Sequence, residues 1–191
     1  MKRQIILAST SPRRKDLMGL LKIKFKAVDS GYEEVMHQHL EHNQLVKFLA
    51  LGKAKAAAKK YPKAIIIAAD TIVSYKGKAI GKPKTKEQAV DMLKNFSAKP
   101  HLVISGTVVM DAASKRVFIS SDSTKIYFKK LSKADISKYI ASGEAMDKAG
   151  GYGFLGKGFN LIEKIEGDLT VDLGMSLGFV FNSLAKLGIE V

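Results

Sequence analysis

Two adjacent cations, Arg13 and Arg14, follow Ser11 and Pro12 in the stretch LASTSPRR. Serine is favoured at the start of a helix, and proline fits the first turn, where its missing N–H costs nothing. That turn carries unpaired N–H groups and the positive end of the helix dipole, which favour acidic side chains over arginines. Two guanidiniums there make chemical sense when a ligand brings the negative charge. Arginine grips phosphate in a forked geometry, and the hydroxyls of Ser9, Thr10 and Ser11 add donors beside it. An arginine pair alone would be read as solvated. The preceding strand, the hydroxyl cluster and the proline together favour an anion site.

Asp70 is the second chemical candidate, in AADTIV. Residues 64–69 form a continuous apolar run, the pattern of a strand buried on both faces, and Asp70 is read as its end. A carboxylate in that position needs a partner, a metal or a raised pKa. Ligands of open α/β sheets bind outside the carboxyl ends of strands, which favours catalysis or metal binding over a simple turn cap. Glu33 and Glu34 are solvated loop acids when read alone. With Asp70, one of them completes a carboxylate pair suited to Mg²⁺ and substrate phosphates. Lys53, beside the apolar stripe of a helix, and Lys82, in GKP, either reach a phosphate or decorate the surface.

Other patterns fail on context. Gly151, Gly153 and Gly156 match G-x-G-x-x-G, but a polar loop precedes them and a strand is expected after them, the reverse of a dinucleotide fingerprint. The spacing of His37, His39 and His42 is not that of a zinc site, and no cysteine is present to assist. GKP lacks the rest of a Walker loop.

Positioning these residues requires a series of elements. The expected strands cover residues 5–7, 24–28 and 64–69, with helices from residue 12 and over 44–61. A hairpin joins 71–75 to 78–80 across Lys76-Gly77, and a capping box at Thr85 and Gln88 opens a helix to Phe96. Alternating strands follow at 101–110 and 117–128, then a short helix from Ser132 and a glycine-rich stretch, 143–158. A last strand is expected at 159–165 and a terminal helix at 173–187. Early alternation and central hairpins predict an α/β fold on a mixed sheet. Without repeats or a linker, residues 1–191 are expected to form a single domain.

The net charge of +14 favours polyanionic partners: nucleotides, nucleic acid or an anionic membrane face. No cysteine means no disulfide and no thiolate metal site. The apolar start, residues 5–8, is too short for a signal core, and no segment reaches membrane-spanning length, so a cytoplasmic location is expected.

Taken in order, LASTSPRR, Glu34, GKA, AADTIV, GKP, SGT and YIASGEAMDKAGGYGFLG resemble the Maf-type nucleoside triphosphate pyrophosphatases over nearly the whole chain. The resemblance implies an elongated, two-lobed α/β fold around a twisted mixed sheet, with flanking helices and a cleft between the lobes. It implies hydrolysis of a nucleoside triphosphate at the α–β bond with a divalent cation, Mg²⁺ or Mn²⁺, and a role for some members in removing non-standard nucleotides. By the same resemblance Asp70 is the proton acceptor, and Glu34 and Asp70 are metal ligands. Ser9, Arg13, Arg14, Lys53 and Lys82 hold the triphosphate, and Thr71 and position 155 take part in base selection. Members that prefer UTP or dTTP carry glutamine where this chain has Leu155, although the surrounding loop resembles that subgroup. Gly52 stands where an acid is common, and TVDLGMSL, residues 170–177, departs from the usual ending. Family members are often homodimers. The rival expectations are a basic nucleic-acid-binding or cell-division regulator without catalysis, disfavoured by the absence of a binding motif, and a phosphatase removing only the γ phosphate.

Overall fold

The structure is a computed structural model describing residues 3–33 and 40–190. In chain order it contains β1 (Ile5–Ala8), α1 (Pro12–Leu20), β2 (Lys26–Val28), α2 (His42–Lys60), β3 (Ile65–Tyr75), β4 (Lys78–Ile80) and α3 (Lys86–Phe96). β5 (Pro100–Asp111), β6 (Val117–Phe128), α4 (Lys133–Ala141), β7 (Ile162–Glu166), α5 (Leu169–Asp172) and α6 (Leu177–Lys186) complete it. The strands make one seven-stranded mixed sheet in the order β2-β1-β3-β5-β6-β7, with β4 paired to β3. The α/β class and the mixed sheet agree with the sequence reading.

The chain forms two compact units. The first comprises Met1–Thr71, Ser105–Asp122 and Gly174–Val191. Here β1 pairs in parallel with β2 on one side and β3 on the other. The chain leaves β1 toward β2 and returns past it to β3, so a topological switch point lies between β1 and β3. Period-two alternation sorts the side chains between the two faces of the sheet. Ile6 and Ala8, Ile66 and Ala68, and Val108 and Met110 pack with Ala50, Ala54 and Ala57 of α2 in one buried cluster. The small alanines let the helix lie close to the sheet. Gly106, of the same parity, faces α2 so closely that a Cβ there would lie 2.4 Å from the backbone of Val46.

The second unit comprises Ile72–Ile104 and Ser123–Leu173. Its core is aromatic: Phe96, Phe128 and Tyr152 surround His101, whose Nε2 lies 2.6 Å from the Tyr152 hydroxyl. The helices expected to open at Thr85 and Ser132 start where expected. Thr85 accepts from the Gln88 N–H, while Gln88 reaches the Lys84 N–H; Ser132 and Asp135 form the complete reciprocal box. The Lys76-Gly77 turn has φ of 49° and 73°, as a two-residue hairpin requires.

Boundaries near the site differ from the sequence reading. Asp70 does not end its strand, because the β-branched residues Thr71, Ile72 and Val73 carry β3 on to Tyr75 without a break. The last strand begins at Ile162; residues Gly156–Leu161 wind into a 3₁₀ turn, where a Cβ on Gly158 would lie 2.0 Å from the Gly153 carbonyl oxygen. The terminal helix expected over 173–187 begins only at Leu177, because Gly174 adopts φ of 116°, which favours glycine, and a short helix that was not expected, α5, precedes it.

Candidate active site

Although Asp70 lies inside β3, it still falls beyond the carboxyl end of a strand. The β1–β3 pairing runs to Leu7 opposite Ile67, and β1 stops at Ala8. Asp70 thus projects past the end of its parallel neighbour, at the switch point. It shares parity with Ile66 and Ala68, which brings it to the α2 side. Lys53 lies one helical turn from Ala50 and Ala57 on that helix, and its ammonium sits 2.5 Å from Asp70 Oδ1. The two side chains are only 13% and 9% exposed. Burial and close opposition of charge make this a desolvated ion pair, unlike the surface pairs elsewhere on the molecule.

The turn after β1 gathers the side chains that the sequence reading put forward as an anion site. Ser9 is buried, and its Oγ accepts the Ser11 N–H at 3.2 Å; Ser11 itself makes no side-chain cap. Both contacts to Ser9 Oγ, from Ser11 and from Arg14 Nη1 at 3.5 Å, use the oxygen as acceptor, which leaves the hydroxyl proton for another group. The first turn of α1 holds no acid. Arg13, half-buried there, makes no hydrogen bond or ion pair among the described residues.

Arg14 behaves differently. Its Nε donates to the Gly174 carbonyl at 2.8 Å and its Nη2 to Thr71 Oγ1 at 3.0 Å. Thr71 has the opposite parity to Asp70, so this network lies on the other face of β3. There Thr71 Oγ1 also meets Ser105 Oγ at 2.7 Å and the Gly174 carbonyl at 3.1 Å. One strand position along from Gly106, Thr107 Oγ1 accepts the Ser176 N–H at 3.1 Å. The SGT motif therefore divides its work: Ser105 and Thr107 hold polar groups on one face, and Gly106 admits α2 on the other.

Ser9, Arg13, Arg14, Lys53, Asp70 and Thr71 all belong to the first unit. Lys82 and Leu155 belong to the second, where Lys82 is exposed and Leu155 is 46% exposed ahead of the 3₁₀ turn. In that turn Glu144 accepts the Lys157 N–H, and a Cβ on Gly156 would lie 2.7 Å from the same carboxylate. Glu34, His37 and His39 lie outside the described residues. His42 is the first residue of α2. Sequence reasoning did not find Ser105 or Gly174 as site residues. The SGT motif and the departure at residues 170–177 were the signals available for them.

Comparison with known proteins gives a consistent result. The family model described as Maf-like protein matches residues 4–187. A dTTP/UTP pyrophosphatase of Geobacillus sp. (strain WCH70) is 39% identical over 186 residues, covering 97% of this chain and 99% of the relative. A protein of the same name from Dictyoglomus turgidum is 41% identical, with 98% of each chain covered. The solved structure of a HAM1 protein from Coxiella burnetii matches with a TM-score of 0.54 at 15% identity, covering 97% of this chain and 98% of that one. At that identity the likeness is one of fold.

Proposed function

The chain belongs to the Maf-like family, and from that premise we propose that it is a nucleoside triphosphate pyrophosphatase, hydrolysing the α–β phosphate bond to a nucleoside monophosphate and pyrophosphate. The observation that carries this reading is Asp70, a buried carboxylate at the switch point, paired with Lys53 and near the anion-binding turn after β1. Asp70 accepts the proton of the attacking water. Lys53, Arg13 and the Ser9 hydroxyl bind the triphosphate and offset the charge that develops on the leaving pyrophosphate. Lys82 adds a further cation. UTP and dTTP are the favoured substrates, as the names of the relatives suggest. Leu155 removes an amide that could read a base and so broadens selectivity among bases.

A divalent cation, Mg²⁺ or Mn²⁺, fits this donor set. No group of three His, Cys, Asp or Glu side chains among the described residues could enclose an ion. Asp70 would supply one hard oxygen ligand and, by the family resemblance, Glu34, outside the described residues, would supply the second carboxylate beside the substrate phosphates, a pattern Mg²⁺ commonly takes. Such an ion neutralises phosphate charge when bound.

The family match runs through both compact units, which supports a single catalytic domain over residues 1–191. No helix among the described residues is long and apolar enough to cross a membrane. The family resemblance is what supports a homodimer working in the cytoplasm. The test is product analysis with UTP, dTTP and other nucleoside triphosphates in Mg²⁺. Monophosphate and pyrophosphate are expected in equal amounts. Diphosphate and orthophosphate would identify a γ-phosphatase, and DNA binding with no turnover would leave the regulator as the better reading.

A further inference from the structure

Within the second unit, four lysines converge on one recess. Lys129 and Lys130 follow β6, Lys138 stands on α4 and Lys157 lies in the 3₁₀ turn, and all four line a cavity of about 470 Å³. We propose that this recess is a binding site for a pyrophosphoryl group carried by a molecule of nucleotide size. None of its side chains belongs to the constellation around Asp70, so occupancy here needs no catalysis there.

The four ammonium groups have no carboxylate to answer them. Other lysines of the same unit, Lys94, Lys148 and Lys164, pair with Asp91, Asp147 and Glu166 at 3.3, 2.6 and 2.6 Å. Among the described residues, Lys129, Lys130, Lys138 and Lys157 make no such pair. The one acid in the lining, Asp135, is committed to its own helix. The Ser132 N–H and hydroxyl both donate to its Oδ2, at 2.8 and 2.6 Å, in the capping box of α4. Those bonds, and after them the charges of Lys138 and Lys129, hold the Asp135 carboxyl below its ordinary 3.8. Both lysines therefore act on Asp135 without being bonded to it. Four cations against one ionised acid leave the lining at +3. Like charges gathered around a recess repel one another until an anion joins them.

Lysines on a solvated face diverge into water, but the backbone beneath these is held. The Lys129 N–H donates to the Leu161 carbonyl and its own carbonyl accepts the Ala98 N–H, at 3.0 and 3.1 Å. The Leu131 N–H donates to Ser97 Oγ at 2.8 Å, and the Lys157 N–H to Glu144. Lys138 follows Asp135 by three residues, on the same face of α4. Anchored stems leave less freedom to lose when a ligand binds.

Shape narrows the ligand further. Buried Tyr139 and Leu161 and half-buried Leu131 give the recess an apolar floor, and the Asn160 amide adds a donor and an acceptor. A bare phosphate matches neither the charge nor the floor. A nucleoside diphosphate matches both. Its terminal phosphate carries about −1.5 to −2 and its inner one about −1 at neutral pH, and its sugar and base cover the apolar part.

Amide ¹H–¹⁵N spectra of the full chain test this, with UDP and inorganic pyrophosphate as probes at constant ionic strength. The Lys138, Lys157 and Asn160 signals should shift to saturation with a Kd below about 1 mM. Tighter binding of UDP assigns the site to a nucleotide, and equal binding assigns it to inorganic diphosphate. Lys129→Gln with Lys138→Gln should weaken binding at these amides tenfold or more. The same loss of charge on α2, Lys55→Gln with Lys59→Gln, should change it less than twofold. Unmoved amides, shifts reproduced by sulfate at equal concentration, or equal weakening in the two double variants would overturn the assignment. Shifts confined to Ser9, Lys53 and Asp70 would overturn it too, while leaving the reading of Asp70 intact.

Discussion

At the residue scale, the site depends on charges that have been removed from water and then paired. Breaking a buried pair from one side leaves an uncompensated charge, which typically costs about 3–5 kcal/mol. Lys53→Met should therefore destabilise the protein by roughly 3 kcal/mol in urea unfolding, discounted for the remaining exposure of the pair. Adding Asp70→Asn should recover more than half of that loss; an additive double variant would show that the two groups do not depend on each other. Arg13 and Asp70 were legible because each breaks a local rule, a cation on a positive helix end and an acid in an apolar strand, and Ser9 was legible from the hydroxyl cluster beside Arg13. Ser105 and Gly174 were not, since they reach Thr71 from 34 and 103 residues away and neither breaks a rule where it stands. Nor could the sequence separate Arg13 from Arg14, because their difference lies in long-range acceptors.

At the element scale, strand parity and helix spacing made most of the fold readable. They place Lys53 opposite Asp70 once α2 is known to cover the even-numbered face of β3. The misread boundaries share a cause: a polar residue inside a strand or a glycine inside a helical pattern was judged locally, while neighbouring elements decided it. Gly106 shows the strength of that control. Gly106→Ala should lower Tm by ten degrees or more and is not expected to be rescued by substrate, since its Cβ would fall 2.4 Å from the α2 backbone. A Tm within about two degrees of wild type would contradict this close packing.

The His101 cluster makes a second prediction at this scale. Burial pushes His101 down to about 4 from its ordinary 6.5. As pH falls through 6.5, the unfolded chain takes up the proton first, so stability is lost between about pH 6.5 and 4, on the order of 3 kcal/mol in total. Urea unfolding at pH 7, 5.5 and 4 measures it, and His101→Phe should flatten the profile in that window. Asp111 acts at lower pH. Its pairing with Arg3 holds its carboxyl well below the ordinary 3.8, so its stabilisation is present above that value and is lost as pH falls further.

At the scale of the whole molecule, the net charge of +14 suits an enzyme whose substrate is a polyanion. The field gathers triphosphates over distances that salt screens, with a Debye length of about 10 Å at 0.1 M. Raising the salt concentration should increase KM for UTP several-fold while leaving kcat within about twofold; a fall in kcat at constant KM would place the dependence in the chemical step. The central claim is that Asp70 drives hydrolysis at the α–β bond. Its most direct test is ³¹P NMR of UTP turnover with Mg²⁺, comparing wild type with Asp70→Asn. The wild type should release UMP and pyrophosphate one for one. Asp70→Asn should lose about a thousandfold in kcat, roughly 4 kcal/mol of barrier, while binding UTP with a Kd within about threefold. Release of UDP and orthophosphate, or an Asp70→Asn variant that turns over at the wild-type rate, would contradict the account.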